Sequence, residues 1–456
     1  MIEFLGTLSR SAIKRDQLID VNSCVHFEYL HNPEYLPNNE PVLLAVVLFK
    51  DTLGDHCIIS MDVATTFAAV KDNRSLDPKQ GFFAVAKALR LQPIDLSQPL
   101  LLSPISIAKP WGQEIWYTGI EARGISRIQD VPISWLLDIF RNWVFGEQFA
   151  DQDTTAPLLL KILDPIPSSH MGDLYFEMHE KKVEVYVVTH IDAKAWPDGV
   201  GQIRYGFKQE RVNEYADKKS FLDAYLDAVK NYELIRREID RRIDDLAGAE
   251  DGQTANFNHD QRLDRLPAGL LIDEAKLRDQ MYAFTSLRPL KVGDVVTVSP
   301  LMPHSLQHGV RVIEFQTPHY ERFILSFSQK VLTQNHWDTG LAIQRAITSA
   351  PPTVAAPPSM YGMDLIADFD QFRVFRLELE AGESHEFDHS NYLIAIGIYG
   401  NITIGRDLES SSVVLAPERA CLISAGEAPV TMAHSETTQG TSPATGKGCV
   451  LIAVEV

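Results

Sequence analysis

The stretch Leu174–Val188, LYFEMHEKKVEVYVV, decides how the rest of the chain is read. Within it Glu177, His179, Lys182 and Glu184 fall close together between two short runs that read as β-strands. Side chains two apart on a strand share a face, so Glu177 and His179 aim into one space. The Glu180-Lys181-Lys182 segment turns the chain, and VEVYVV returns as a second strand carrying Glu184. Two carboxylates and an imidazole gathered this way resemble a metal site that needs one more ligand. The same residues also suit a solvated hairpin of alternating charge, and this stretch by itself leaves both readings open.

Downstream, Lys291–Gly309 reads KVGDVVTVSPLMPHSLQHG: a Gly-Asp turn, an apolar strand, a Pro-containing turn, then His304. This resembles the second motif of the cupin barrels, in which a Gly, here Gly293, precedes a metal-binding His. Glu177, His179 and Glu184 resemble the first motif, with Glu at the leading ligand position. Both motifs stand in the expected order, separated by an insertion. The resemblance implies a four-ligand site of Glu177, His179, Glu184 and His304.

A narrower resemblance is to the type I phosphomannose isomerases (mannose-6-phosphate isomerases). It rests on Lys109-Pro110-Trp111-Gly112, Glu177-Met178-His179, Lys182-Val183-Glu184 and Pro303-His304, and then on Glu314, Gln316 and Arg322 in matching order within IEFQTPHYERFILSF. The run PLLLKILDP, Pro157–Pro165, is similar to the strand leading to that family's metal site. The similarity covers roughly Leu101 to Asp338 and leaves the first hundred residues unexplained.

That family moves a proton between C1 and C2 of a sugar phosphate, interconverting mannose 6-phosphate and fructose 6-phosphate. The resemblance therefore implies one divalent metal per chain, zinc, held by Glu177, His179, Glu184 and His304. It implies Lys182 and Arg322 as the catalytic cations beside developing oxyanion charge, and Tyr175, Lys109, Trp111 and Lys208 as substrate-binding residues. The chain departs from the family in four places. Glu177 stands for a Gln, Tyr175 for a Ser near the sugar phosphate, and Glu180 for the Pro after His179, with a shorter connection to Glu184. Ser328 stands where a Lys follows the Arg. With two ionised Glu and two neutral His the charge of a divalent metal is cancelled, which blunts its Lewis acidity. A second class of function therefore stays open beside the isomerase: a non-catalytic, metal-containing cupin that binds a sugar or sugar derivative.

The remaining sequence sets the frame. A net charge of −19 over 456 residues argues against nucleic acid and anionic membrane as partners, and leaves room for a small anionic sugar phosphate in a locally basic pocket. Cys24, Cys57, Cys421 and Cys449 are widely spaced, which suits reduced thiols in a cytoplasm. The N-terminus lacks a sustained apolar core, and the apolar run Val42–Phe49 is too short to span a bilayer. Nothing here fixes an oligomeric state.

The fold class read from the chain is mainly β with a helical insertion. It comprises cupin (jelly-roll) barrels in a bicupin-like arrangement, preceded by an N-terminal mixed α/β domain. Residues 1–100 form that mixed domain, with strands at Val42–Phe49 and Cys57–Met61 and a helix at Gly81–Leu91. Residues 101–348 form the metal-binding barrel. In it Ser134 is expected to cap a helix Trp135–Phe145, and a helical insertion occupies about 215–290. A Ser220/Asp223 capping box opens its long helix, whose apolar positions recur from Phe221 to Leu246. Arg236-Arg237 and Arg241-Arg242 are expected on its solvated face. A polar loop spans Gly248–Arg265, and a second helix spans Asp273–Phe284. Residues 349–360, Pro-rich, form a linker. Residues 361–456 form a smaller jelly roll with a loop at Ser435–Gly446; its His385 and His389 are read as surface residues in preference to a second metal site.

Overall fold

The computed structural model describes residues 1–36, 40–146, 156–248, 263, 265–329, 336–351, 358–426, 428–434 and 446–456. Most of the expected 248–265 loop, the 352–357 part of the linker and the 435–445 loop lie outside the described residues. The chain divides into two compact units, one of residues 108–114 and 162–355, the other of 1–107, 115–161 and 356–456.

The first unit holds the stretch Leu174–Val188. Its second strand, Glu184–Ile191, lies between Val295–Val298 and Val310–Gln316, antiparallel to both. Glu184 is opposite Val298 on one side and Gln316 on the other. The strand is buried along most of its length, as its Val-rich composition requires of a central strand. Alternation then sends Glu184, Tyr186 and Val188 to one face, and Tyr186 and Val188 belong to the barrel core with Trp111, Leu163 and Tyr175. A second sheet runs in the order Thr285–Leu290, Gly201–Phe207, His304–Leu306, Phe176–Met178, Phe323–Ser326. In it Glu177 is directly opposite His304, and His304 is opposite Tyr205 on its other side.

The outer face of this second sheet is apolar and is covered by the inserted helices, Lys218–Gly248 and Ala268–Tyr282. Phe221, Tyr225, Val229 and Tyr232, one helical face, pack on Phe176, Met178 and Phe207. Farther along the same helix, Ile239 and Ile243 pack with Leu266. The expected periodicity is thus the packing face. Two local expectations fail. Asp217, not Ser220 with Asp223, makes the capping box: its carboxylate accepts the Ser220 N–H at 2.7 Å, and its own N–H donates to Ser220 Oγ at 3.2 Å. Asp223 instead pairs with Lys219 at 2.5 Å. Arg236 is not solvated either. It is 4% exposed, pairs with Asp240 at 2.7 Å and donates to the Ser328 carbonyl at 3.1 Å, whereas Arg237, Arg241 and Arg242 pair along the open face with Glu233, Glu238 and Asp245.

The second unit contains a five-stranded sheet in chain order, Ile2–Leu8, Ser23–His31, Val42–Lys50, Asp55–Ser60 and Ile94–Asp95. Its first pair is parallel and the rest antiparallel. Helices Val63–Asn73 and Pro78–Leu89 bury Val70, Phe82, Val85 and Ala86 against Ile2, Val47, Phe49 and Ile58. The mixed α/β reading of this part holds. Ser134 does not cap. The helix begins at Ile133 after Pro132 and breaks at Phe140, and Ser134 accepts a hydrogen bond from the Tyr35 hydroxyl at 2.8 Å. The C-terminal part contains the strands Phe372–Glu380, Leu393–Tyr399, Ile402–Asp407, Ser411–Leu415, Ala420–Ile423 and Lys447–Glu455. They are arranged in two antiparallel sheets around an apolar core that includes Phe375, Phe387 and Ile452. Leu100–Ser103 joins the larger of these sheets by pairing with Ala420–Ile423. Among the described residues no helix is long and apolar enough to cross a membrane.

Phe207 is fully buried, with ring centroids 5.2 Å from Phe221 and 5.3 Å from Tyr225. Phe207→Ala is expected to cost about 3–5 kcal/mol in chemical denaturation. Leu234→Ala, at a position 71% exposed on the same helix, should stay within about 0.5 kcal/mol of wild type.

Candidate metal centre

Three ligand-type side chains, Glu177, His179 and His304, bring their donor atoms within 4.8 Å of one another, and they are the only such group among the described residues. The local folding explains it. Glu177 and His304 are cross-strand partners whose side chains leave the sheet together. His179 lies one residue past the strand Phe176–Met178, and its carbonyl accepts the Leu301 N–H at 2.6 Å, which ties it to the turn before His304. Leu301 has φ +63°, and the chain then runs through Met302 and Pro303 into the strand.

Both imidazoles have their tautomer set by a backbone carbonyl. His179 Nδ1 lies 2.8 Å from the Glu321 oxygen and His304 Nδ1 lies 2.9 Å from the Met302 oxygen. A carbonyl only accepts, so each Nδ1 carries a proton, and in the neutral ring Nε2 is the atom that presents a lone pair. Both Nε2 atoms and Glu177 Oε2 are buried without a hydrogen-bond partner among the described residues. Burial, followed by the charge of Lys182, pushes the His179 pKa down.

Glu184, fully buried, adjoins the same group from the facing sheet. Its Oε1 is 2.7 Å from His304 Nε2 and 3.3 Å from His179 Nε2, and it accepts from the Tyr186 hydroxyl at 3.1 Å. Its Oε2 is 2.8 Å from Lys182 Nζ, which also donates to Gln316 Oε1 at 3.5 Å. Burial works to raise the Glu184 carboxyl; Lys182, then His179 and His304, outweigh it and hold it well below the usual carboxylate range. At Glu177 burial likewise works upward and is outweighed by His179, Arg322, Lys182 and His304, so this carboxyl is also lowered. Tyr186, raised by burial and by Glu184, stays a neutral donor.

The donor set fits a divalent cation. Two imidazole nitrogens converge on an ionised carboxylate oxygen at 2.7 and 3.3 Å, an arrangement that calls for positive charge, carried by the rings or by an ion bound among them. Nitrogen and oxygen donors of this kind suit zinc and other first-row divalent ions.

Of the other residues singled out in the sequence, Arg322 places its guanidinium over the Tyr175 ring at 4.6 Å, and that ring packs on Phe327 at 4.2 Å. Trp111 is 1% exposed in the barrel core. Lys109 pairs with Glu114 at 3.2 Å, and Lys208 is exposed at the head of Gln209–Val212. In the other unit His385 and His389 are half-buried and join no ligand cluster among the described residues. Sequence reading missed Tyr186 and Glu321 as members of the site. Tyr186 had a signal, two residues beyond Glu184 on the same strand face; Glu321 had none.

The Lys182–Glu184 pair gives a pH test on metal-free protein. Because the Glu184 carboxyl titrates lower in the folded than in the unfolded chain, its stabilisation is complete above the unfolded value of ~4.3 and is lost as pH falls through the folded one. Glu184→Gln is expected to flatten that acid limb of the stability curve. Lys182→Met, which strands a buried carboxylate, should cost about 3–5 kcal/mol at neutral pH, and the double variant clearly less than Lys182→Met alone. A double-variant loss equal to the sum of the two single losses in denaturation would show that the pair is not coupled.

No family model and no curated protein matches the sequence. Solved structures do match. The mannose 6-phosphate isomerase from Bacillus subtilis aligns with a TM-score of 0.53 at 13% identity, over 78% of this chain and 99% of that one. The apo form of the enzyme from Salmonella typhimurium aligns with a TM-score of 0.54 at 12% identity, over 79% and 99%. A mannose 6-phosphate isomerase bound with zinc and yttrium aligns with a TM-score of 0.53 at 12% identity, over 78% and 99%. At this identity the likeness is one of fold: the chain has a mainly β, phosphomannose isomerase-like cupin fold, with a group of His and Glu side chains that could hold a metal.

Proposed function

We propose that the chain is a metal-dependent aldose–ketose isomerase that interconverts mannose 6-phosphate and fructose 6-phosphate or a related sugar phosphate. The observation that carries this reading is the buried convergence of ligand-type groups, Glu177, His179, Glu184 and His304, with the cation Lys182 ion-paired at its edge. The fold supports it, being similar to that of solved enzymes named for this activity.

The reaction moves a proton between C1 and C2 of the open-chain sugar, and negative charge develops on the adjoining oxygens. A zinc ion held by Glu177, His179, Glu184 and His304 would supply polarisation of those oxygens. Lys182 contributes a fixed ammonium: its side chain is 7% exposed and is held between Glu184 and Gln316, so its charge acts with little screening by water. Arg322 contributes the second cation. Tyr175 holds its guanidinium, and its charge helps keep the Glu177 carboxyl ionised. The resemblance implies the remaining substrate-binding roles for Trp111, Lys109 and Lys208, of which Trp111 lies in the barrel core and Lys109 is paired with Glu114. The extra negative charge of Glu177 favours a second reading, a metal-containing cupin that binds a sugar without turning it over.

The two readings separate on one experiment. Metal-loaded protein is incubated with hexoses and hexose 6-phosphates in deuterated water, and deuterium at C2 is followed with isomer formation. Exchange with mannose 6-phosphate or a related sugar phosphate is expected, and Arg322→Ala should slow it by about 10²–10³-fold. Glu177→Gln should keep the metal and leave turnover intact or higher. No exchange across the panel with metal fully bound would overturn the isomerase in favour of sugar binding.

A further inference from the structure

The turn joining the two ligand-bearing strands, Glu180 to Val183, is short, and its backbone donors need acceptors. They find one in Glu321. Its Oε1 accepts the N–H of Lys181 in a very short contact and the N–H of Lys182 at 3.1 Å. The main-chain oxygen of the same residue accepts His179 Nδ1–H at 2.8 Å. One residue therefore holds both the ring that presents Nε2 to the centre and the turn that carries Lys182 onto Glu184. On the far side of the turn Glu180 is ion-paired with Arg345, whose guanidinium lies over the Phe323 ring at 5.9 Å. Val183 N–H closes the turn on Thr317 Oγ1 at 3.3 Å.

The geometry points to Glu321 as a positioning residue of the metal centre: its carboxylate orders the Lys181–Lys182 turn, and its carbonyl orients His179. The inference rests on the metal reading above. Its side chain touches neither the donor atoms nor Lys182 Nζ, so its effect passes through backbone geometry. Groups that orient ligands in this way alter metal affinity when removed, by about 10–100-fold. The main-chain carbonyl survives substitution, so the variants probe the carboxylate clamp alone.

The test uses the full chain and Co(II) as the probe, with affinity measured against a chromophoric chelator and the visible d–d bands recorded. Glu321→Ala is expected to weaken Co(II) binding by about 10–100-fold and to change the band pattern. Glu321→Gln, which keeps a side-chain oxygen acceptor, should recover affinity to within a few-fold and restore the bands. Glu321 is half-buried, so truncation opens no core cavity. Should the Ala variant fail to fold, Glu321→Asp, one methylene shorter, should still weaken binding measurably. Unchanged affinity and bands in both the Ala and Asp variants, with wild type binding Co(II), would overturn the positioning role alone. A loss of affinity in the Gln variant equal to that in the Ala variant would do the same. No Co(II) binding by wild type would overturn the metal reading and this inference with it.

Discussion

The constraint on which the rest of the first unit depends is the convergence of His179 Nε2, His304 Nε2 and Glu184 Oε1. Two backbone carbonyls accept from the Nδ1–H groups, which turns both Nε2 atoms onto the Glu184 carboxylate at 2.7 Å and 3.3 Å. Such an arrangement is stable only with positive charge beside it. Lys182 provides part of that charge on the other oxygen of Glu184, and a divalent cation among the three acceptors would provide the rest.

The architecture follows from holding these groups in place. Glu177 and His304 are fixed by direct cross-strand pairing in one sheet, and Glu184 and Gln316 by the same kind of pairing in the other. Each position is pinned by register, because a one-residue slip would turn every side chain to the opposite face. The helices Lys218–Gly248 and Ala268–Tyr282 secure the sheet that carries Glu177 and His304 from behind, through the aromatic cluster of Phe176, Phe207, Phe221 and Tyr225. The polar centre inside the barrel is thus backed by an apolar layer outside it.

Much of this was legible in the chain. The spacing of Glu177 and His179 required a shared face, and the structure brings both to one cluster with His304, a residue far downstream that only the resemblance could supply. The long helix was readable because its apolar residues recur at helical spacing, and they form its packing face. Other features were not legible, for physical reasons. The buried state of Arg236 depends on Ser328, a partner distant in sequence that no local pattern announces. The start of the long helix was misplaced by one turn because Asp217 and Ser220 satisfy the capping pattern as well as Ser220 and Asp223 do. The pairing of Leu100–Ser103 with Ala420–Ile423 is a contact between strands that periodicity treats independently. Glu321 acts through backbone N–H groups and through its own carbonyl, neither of which leaves a mark in the sequence.

The central claim is that one cation joins two imidazoles and carboxylate oxygen at this centre. X-ray absorption at the zinc edge of the zinc-loaded protein measures that directly. The expected spectrum has nitrogen and oxygen neighbours at about 2.0–2.1 Å, with the outer-shell signature of two imidazoles that falls to one in His304→Ala. A sulfur neighbour at about 2.3 Å, or a wild-type spectrum without imidazole, would contradict it.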